Sequence, residues 1–494
     1  MVRRLCLDGN GVAIVVGPPG TGKTYALDAA REAWQSSGYS VQGAAVARRA
    51  ARVLQDGAGI DSTSVAALLK DLDRTPTLDA QTVLVIDEAG MVGTRQLARI
   101  LEHSARAGSK VVLVGDPHQL PEIDAGGAFA SLARSESAIT LEVNRRQQRE
   151  HDRALLDLWR EGAVDEALQL AASHGDLVMA ADAETARTRL VDEYVTASLD
   201  GSDSVMVALR RVDVRDLNER ARARLDAAGQ LGPDRLRLLW GEFASGDRVV
   251  LKRNDRRLDI SNGDFATVKA VDAVTGSMLV SIGERFVELG IDYIHDGDEP
   301  AVFHGYASTV HSLQGAAVDR AFVLGSELAY REWGYTAWSR ARESARFFVC
   351  EPAIAEEIHP VHATQRSRPV DQLLISLGES RAQSLAMEDF AGDDLDRLTA
   401  LAARHVASDH VVEALGHRPD EPTAARRWDR AVLQLEQARS TLDVRNDRRP
   451  LGPEPPIGVD NRSAWTAARC ELDRARRDLR REGSARDHGR DLHR

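Results

Sequence analysis

A glycine-rich segment near the start of the chain has the residue types and spacing of a phosphate-binding loop. Gly17-Pro18-Pro19-Gly20-Thr21-Gly22-Lys23-Thr24 follows an apolar run and precedes a helical pattern. Backbone N–H groups of such a loop turn toward phosphate oxygens, and the helix N-terminus adds a positive partial charge. Lys23 would reach the β- and γ-phosphates, and the Thr24 hydroxyl would hold Mg²⁺. The residues expected to bind the nucleotide are Gly17, Gly20, Thr21, Gly22, Lys23 and Thr24.

A pair of carboxylates could supply the hydrolytic chemistry. Asp87 ends the apolar run that begins at Val83, and Glu88 follows it. A carboxylate at the end of a buried strand can hold the water shell of Mg²⁺, which is the role expected of Asp87, and Glu88 can polarise the attacking water. An Asp-Glu pair by itself could equally cap a helix. Together with the phosphate loop, the pair predicts hydrolysis of a nucleoside triphosphate.

Two later segments carry side chains that could respond to the γ-phosphate. Gln119 lies in the segment GDPHQLP, directly after an apolar run, and its amide could sense that phosphate. The alternative for this segment is a plain turn after a strand. Arg145 and Arg146 follow Asn144, and one of them could neutralise charge across a cleft. The alternative for this pair is a solvated basic turn.

Short β-branched runs alternate with helical patterns over residues 12–150. The runs VAIVV, VLVID and VVLVGD are unbroken, as in strands that are buried on both faces. Between the first two runs, Leu27, Ala30 and Trp34 have helical spacing. Strand, helix and strand in this order predict an α/β fold with a doubly wound parallel sheet. We expect this first domain to span residues 1–150.

The character of the sequence changes twice further along the chain. Residues 241–304 contain short alternating runs separated by turn residues such as Asn262-Gly263. This pattern predicts a small β-barrel inserted into a second α/β domain over residues 151–385. The chain beyond this domain is rich in Arg, Asp, Glu and Ala, so we expect a charged helical or partly disordered C-terminal region over residues 386–494.

Composition excludes several classes of protein. The 494 residues are 43% hydrophobic and 28% charged, which is typical of a soluble globular protein, and no apolar run reaches the ~18 residues of a membrane-spanning helix. Cys6, Cys350 and Cys470 have neither metal-binding nor disulfide spacing, which favours a cytoplasmic location. The net charge of −12 argues against a basic nucleic-acid coat but leaves room for a local basic groove.

The ordered set of motifs resembles a superfamily 1 DNA helicase of the RecD-like, 5′→3′ branch, and above all the helicase part of MobF-type conjugative relaxases. Residues 306–315, YASTVHSLQG, resemble helicase motif V, and residues 335–342, YTAWSRAR, resemble motif VI. The segments GDRVVLKRND and NGDFATV resemble the SH3-like barrel that these helicases carry in their second motor domain. The resemblance implies two RecA-like P-loop motor domains with ATP and Mg²⁺ bound between them.

The resemblance also implies roles for individual positions. The loop residues and the carboxylate pair keep the roles given above, and Gln119 becomes the γ-phosphate sensor. Arg146, the second of the two adjacent arginines, corresponds to the motif IV arginine, and Arg340 corresponds to the arginine that bridges the motor domains at the γ-phosphate. Thr309 and His311 would lie near the DNA backbone, with an ordinary strand residue and an ordinary buried histidine as the alternatives.

The sequence departs from the family pattern at four points. The glutamine that usually contacts adenine before the first strand has no counterpart in MVRRLCLDGN, and Ser312 replaces a lysine of motif V. Residues 61–82 leave little room for the strand-separating hairpin of related helicases. There is no His-x-His metal cluster with an upstream tyrosine, so we expect the DNA-nicking part of a relaxase to be lacking.

These inferences predict an ATP-dependent DNA helicase or translocase that moves 5′→3′ on single-stranded DNA. Its expected partners are single-stranded or tailed duplex DNA, together with conjugation or relaxosome proteins, and no membrane. Two alternatives stay open: a nucleotide- and DNA-binding module that does not unwind, and a DNA-stimulated ATPase subunit that needs a partner. Four aromatic residues could stack on bases, although each is more often a core residue: Trp240, Phe243, Trp333 and Tyr335.

Overall fold

The chain is described by a computed structural model. The described residues are 1–75, 77–122, 125–134, 137–296, 299–350 and 375–383. Their strands form two parallel sheets, an antiparallel sheet and two short ribbons. The charged region predicted for residues 386–494 lies outside the described residues.

The first parallel sheet has six strands in the order β3-β2-β4-β5-β1-β6. Its strands are β1 (Val12–Val16), β2 (Ser40–Ala45), β3 (Asp61–Ser64), β4 (Thr82–Asp87), β5 (Lys110–Gly115) and β6 (Ile139–Thr140). The helices between them are α1 (Val2–Leu7), α2 (Lys23–Ser36), α3 (Arg48–Ala58), α4 (Val65–Arg74), α5 (Thr94–Ala107) and α6 (Ala128–Ala133). The three apolar runs predicted to be strands are β1, β4 and β5.

Alternating side chains of the central strands enter two separate cores, which explains why these strands are apolar throughout. Ala13 and Val15 of β1 pack with residues of α2 and α3, whereas Ile14 and Val16 pack with residues of α4 and α5. Helices therefore cover both faces of the sheet. We call this sheet with α1–α6 the first lobe.

The chain then forms a second α/β layer that is interrupted by antiparallel strands. It begins with α7 (Glu150–Glu161), α8 (Val164–Ser173), β7 (Leu177–Ala180), α9 (Ala183–Leu199), β8 (Ser204–Val207) and α10 (Arg211–Ala227). The interruption contains β9 (Leu236–Leu238), β10 (Gly241–Phe243), β11 (Arg248–Leu251), β12 (Phe265–Asp272), β13 (Ser277–Ile282), β14 (Arg285–Leu289), α11 (Ile291–Ile294), β15 (His295–Asp296), β16 (Glu299–Pro300) and β17 (Val302–His304). The layer resumes with β18 (Ala307–Ser308), β19 (Val318–Leu324), α12 (Arg331–Trp338) and β20 (Ala341–Cys350).

The second parallel sheet has five strands in the order β18-β8-β19-β20-β7. Large aromatic residues fill its core, where Trp338 stacks on Phe347 at a centroid distance of 4.9 Å. We call this sheet with α7–α10 and α12 the second lobe. Three of the residues considered for base stacking, Phe243, Trp333 and Tyr335, are at most 1% exposed. Burial removes their faces from bases in solution, so the alternative that they are core residues is correct.

The interruption forms an antiparallel sheet in the order β14-β13-β12-β11-β17 with its own apolar core. The short alternating runs of the sequence are its strands, because one face of each strand enters this core and the other faces outward. Its likeness to an SH3 barrel stays a prediction, as do the domain boundaries at residues 150, 241, 304 and 386. Among the described residues, no helix is both long and apolar enough to cross a membrane.

Candidate functional site

The residues predicted to do chemistry meet at one edge of the first sheet. β4, β5 and β1 are parallel neighbours, so their carboxyl ends lie side by side. The phosphate loop follows β1, the carboxylate pair follows β4, and Gln119 follows β5. A cavity of about 370 Å³ opens at this edge. The predicted residues that line it are Gly20, Thr21, Gly22, Lys23, Thr24, Asp87, Glu88, Gln119, Arg146 and Arg340.

The phosphate loop is held in a compact turn by its own side chains. Lys23 Nζ donates to the carbonyl of Gly17 at 2.6 Å and to that of Pro18 at 3.3 Å. Gly20 and Gly22 have φ angles of +81° and +80°, in a region that residues with a Cβ rarely adopt. Only glycine allows this path without strain. Gly17, the one predicted loop residue outside the cavity lining, borders the site through Lys23.

Segment 144–146 packs directly against the phosphate loop. The backbone N–H of Arg145 donates to the carbonyl of Gly20 at 2.8 Å. A Cβ on Gly20 would lie 2.2 Å from the Cβ of Arg146, so the two segments approach too closely for any larger residue. This approach brings the Arg146 side chain to the cavity.

The carboxylate pair at the end of β4 has unusual geometry. Glu88 has a φ angle of +51°, which places a non-glycine residue in the left-handed region. Its backbone N–H donates to Asp87 Oδ1 at 2.9 Å. Burial and then the adjacent charge of Glu88 raise the pKa of Asp87 to about 6. Both carboxylates line the cavity.

Two arginines reach the cavity beside these carboxylates. Arg340, from the second lobe, is 3% exposed, and its Nη2 donates to Gln119 Oε1 at 3.1 Å. Arg146 Nη1 donates to the carbonyl of Ser339 at 3.2 Å. The first bond joins Gln119 of the first lobe to the second lobe. The second bond joins Arg146, in the segment directly after the first lobe, to the second lobe. The predicted sensor and the predicted bridging arginine are therefore in direct contact.

The cavity carries more positive than negative charge. Burial and then Arg340 lower the pKa of Arg146 to about 10, while Glu88 opposes the shift. Burial also lowers the pKa of Arg340, again opposed by Glu88. The cationic lining residues are Lys23, Arg145, Arg146 and Arg340, and the anionic ones are Asp87 and Glu88. Four cations against two carboxylates suit a polyanionic ligand such as a triphosphate.

A divalent metal fits two of the lining residues. Asp87 offers a carboxylate oxygen, and the Thr24 hydroxyl has no hydrogen-bond partner in the part of the chain that the structure describes. Oxygen ligands of this kind, completed by phosphate oxygens and water, suit Mg²⁺. His151, Asp152 and Asp176 form a second group of potential metal ligands. Their proximity has another explanation, because Arg149 forms ion pairs with Asp152 at 2.7 Å and with Asp176 at 3.0 Å.

Thr309 and His311 lie apart from the cavity lining. Thr309 is half-buried, and its hydroxyl donates to the hydroxyl of Ser312 at 3.2 Å. His311 is exposed at the start of a short 3₁₀ turn, so the alternative of a buried histidine is wrong. Arg49 of α3 donates to the Ser312 carbonyl at 3.2 Å. The prediction that this segment contacts DNA stays a prediction.

Sequence reasoning missed part of the site. Tyr25 lines the cavity although it is 82% exposed. The family resemblance assigns a role to Arg146 alone, yet Arg145 also lines the cavity, and its side chain makes no hydrogen bond or ion pair with any described residue. Gly315 closes the site against Ala50 and Val53 of α3. The position of Tyr25 directly after Lys23-Thr24 is a signal that could have identified it.

A phosphate loop and an acidic pair at the carboxyl edge of a parallel sheet define the class of P-loop nucleoside triphosphatases. A model described as an AAA domain, AAA_30, matches residues 1–182. This match supports the RecA-like assignment of the first lobe.

Relatives extend the similarity over both lobes. The chain is 37% identical over 342 residues to a conjugal transfer protein TraA of Agrobacterium fabrum, covering 68% of this chain and 31% of that protein. It is 28% identical over 381 residues to the ATP-dependent RecD2 DNA helicase of Deinococcus radiodurans, covering 71% and 48%. A crystal structure of the Bacteroides Pif1 helicase with ADP-AlF3 and single-stranded DNA matches with a TM-score of 0.49, 18% identity and coverage of 70% and 90%.

The AAA-domain match and the sequence relatives confirm the resemblance stated from the motifs. The chain is related to RecD-like superfamily 1 helicases and to TraA conjugal transfer proteins. It spans about a third of the length of the TraA proteins that it matches.

Proposed function

We propose that this chain is an ATP-dependent motor that moves 5′→3′ on single-stranded DNA and separates duplex DNA ahead of it. The observation that carries this proposal is that both lobes contribute to one cavity. Lys23 and Glu88 come from the first lobe and Arg340 from the second. A ligand that contacts residues of both lobes favours their approach, and loss of that contact on hydrolysis allows them to separate.

Each lining residue has a role that follows from its position. Lys23 and the loop amides bind the β- and γ-phosphates, and Arg146 and Arg340 stabilise the charge that develops on the transferred phosphoryl group. Glu88 orients and polarises the attacking water. Gln119 senses whether the γ-phosphate is present, and its 3.1 Å hydrogen bond with Arg340 transmits the loss of that phosphate to the second lobe. Mg²⁺ bound at Thr24 and Asp87 would neutralise negative charge on the phosphates.

The DNA part of the proposal is supported by the surface around motif V and by the relatives. His311 is exposed and Thr309 is half-buried, so both are available to a phosphate backbone. The names of the relatives include a DNA helicase and conjugal transfer proteins. Accordingly, we propose single-stranded or tailed duplex DNA as the substrate and conjugation proteins as partners. The 5′→3′ direction comes from the RecD-like resemblance.

A single-turnover unwinding assay tests this proposal. We expect the chain to unwind a duplex with a 5′ single-stranded tail in the presence of ATP and Mg²⁺, and to leave a blunt duplex or a 3′-tailed duplex intact. The variant Glu88→Gln serves as the control, because it keeps the cavity but lacks the water-orienting carboxylate. Unwinding of the 3′-tailed duplex alone would contradict the direction. DNA-stimulated ATPase without unwinding would instead favour a subunit that needs a partner.

A further inference from the structure

Residues 375–383, which we call the strap, contact both lobes on elements close in sequence to the cavity residues Gln119 and Arg340. At one end, the strap is anchored to the first residue of α12. The backbone N–H of Arg331 donates to the Glu379 carbonyl at 2.9 Å, and Arg331 Nη2 donates to the Gly378 carbonyl at 2.6 Å. Leu377 is fully buried in the core of the second lobe. This end of the strap is therefore part of the second lobe.

The strap also supplies the hydrogen-bond donors of a buried carboxylate in α12. Glu332 is 3% exposed. Ser380 Oγ donates to Glu332 Oε1 at 2.5 Å, and the backbone N–H of Arg381 donates to Glu332 Oε2 at 2.9 Å. Burying a carboxylate is costly unless it is hydrogen-bonded. The strap consequently fixes the start of the helix that leads to Arg340.

The other end of the strap reaches the loop that follows β5 in the first lobe. Gln383 uses both ends of its amide there: the backbone N–H of Gly126 donates to its Oε1 at 2.7 Å, and its Nε2 donates to the Glu122 carbonyl at 2.9 Å. A Cβ on Gly126 would lie 2.2 Å from Glu122 Oε2. The Glu122 carboxylate would therefore have to shift to admit a Cβ at Gly126, and the backbone groups of Glu122 and Gly126 both bind the Gln383 amide.

The same loop contains Gln119, the predicted γ-phosphate sensor, and contacts the second lobe directly. Asp116, at its start, accepts a 2.9 Å hydrogen bond from the Tyr335 hydroxyl of α12. Leu120 is buried in the second-lobe core. Gln119 lies between these two residues and contacts Arg340. Residues 116–120 thus reach the second lobe, and Gln383 binds the loop again at Glu122 and Gly126.

We propose that Gln383 is a positioning residue: by binding the backbone of Glu122 and Gly126 it holds the segment that continues from Gln119 against the second lobe, so that Gln119 meets Arg340. The strap ties this loop to α12. Gln119 lies in the loop, and Arg340 follows two residues after the end of α12. This inference rests on the proposed function, since the bond matters for turnover only in an ATPase.

The test compares two variants of the full chain. Gln383→Ala removes the bonds to Gly126 and Glu122, and we expect the kcat of DNA-stimulated ATP hydrolysis to fall about fivefold while KM for ATP stays within about twofold. Arg381→Ala is the matched control. Its side chain lies 4.5 Å from the Tyr330 ring and donates to the Leu328 carbonyl, both in the second lobe, and its backbone bond to Glu332 is kept. We expect its kcat to stay within about twofold of the wild type.

Hydrogen exchange gives a readout that does not depend on catalysis. In Gln383→Ala the Gly126 amide loses its partner, and we expect exchange to accelerate in peptides that cover residues 116–127 but not in peptides of β1 or β4. An unchanged kcat, an equal loss in Arg381→Ala, or a rise in KM that matches the fall in kcat would each overturn the positioning role. Absence of DNA-stimulated hydrolysis in the wild type would refute the proposed function instead. Unchanged exchange in the loop would then refute the inference separately.

Discussion

Glu88 combines a carboxylate at the reacting edge of the sheet with a left-handed backbone. A non-glycine residue in this region costs of order 1 kcal/mol or more, and the strain persists because β4 and the following turn fix both neighbours. The conformation directs the chain sharply away from β4 after Asp87, and both carboxylates reach the same cavity. Strain of this kind concentrates at functional sites, where packing around the residue over-determines its geometry.

The first prediction separates nucleotide binding from hydrolysis. Glu88→Gln keeps the shape of the side chain and the cationic loop, so we expect nucleotide affinity to stay within about threefold and hydrolysis to fall at least ~100-fold, since general-base catalysis contributes 10²–10⁴. Lys23→Ala removes the cation expected to bind the β- and γ-phosphates, so we expect this variant to lose both nucleotide binding and hydrolysis. Fluorescent-nucleotide titration and steady-state ATPase with single-stranded DNA measure the two effects. Normal turnover in Glu88→Gln would refute the role of that carboxylate.

For single residues, the sequence was informative where the predicted secondary structure alone determines which residues lie close together. The phosphate loop and the Asp-Glu pair were predictable because parallel strands bring their carboxyl ends together. Arg340 needed the family resemblance, since nothing in its local sequence indicates that it crosses to Gln119. Gln383 carried no signal at all. Its partners are the backbone groups of Glu122 and Gly126, more than 250 residues away along the chain. Every residue type offers a backbone carbonyl, and all but proline offer an N–H, so the sequence does not indicate such contacts.

Among the elements, α3 links the nucleotide site to the antiparallel sheet. Gly57 packs against Thr24, and Ala50 and Val53 line the cavity. One helix turn away, Arg52 pairs with Asp264 at 3.2 Å, in the loop before β12. One helix therefore contacts both the phosphate loop and the antiparallel sheet. The strands were predictable from their alternation, whereas this contact depends on lobe packing, which residue patterns do not encode.

The second prediction concerns the contact between the phosphate loop and segment 144–146. Gly22→Ala adds a Cβ where no atom lies within 4 Å, so in the ligand-free protein it introduces only left-handed strain of about 1–2 kcal/mol. Gly20→Ala adds the same strain and also a Cβ 2.2 Å from the Cβ of Arg146. Consequently, we expect Gly20→Ala to lower the melting temperature more than Gly22→Ala does. Thermal unfolding without nucleotide measures both, and equal shifts would show that the two segments do not touch.

At the scale of the whole molecule, the cavity, the strap and both lobes belong to residues 1–385, which form one compact unit. The cavity lining ends at Arg340, and the strap ends at Gln383. Asp116, Gln119 and Leu120, which follow β5 of the first lobe, all contact the second lobe. Under the proposed function, a change at the γ-phosphate would therefore reach the second lobe where Gln119 and Arg340 meet.

The last prediction removes residues 386–494 and leaves every described contact of the strap in place. We expect the truncated chain to retain DNA-stimulated ATPase within about twofold. The arginine-rich sequence that it lacks could add electrostatic contacts to DNA, so we expect its DNA affinity to fall below that of the full chain at low salt, with a smaller difference at moderate salt where such contacts are screened. A second truncation after residue 374 is the matched comparison. It also removes Leu377, which is fully buried, and both donors to Glu332, and we expect it to lose most of its ATPase or its solubility. Loss of hydrolysis in the shorter deletion would mean that residues 386–494 pack into the motor and that the boundary at 386 is wrong.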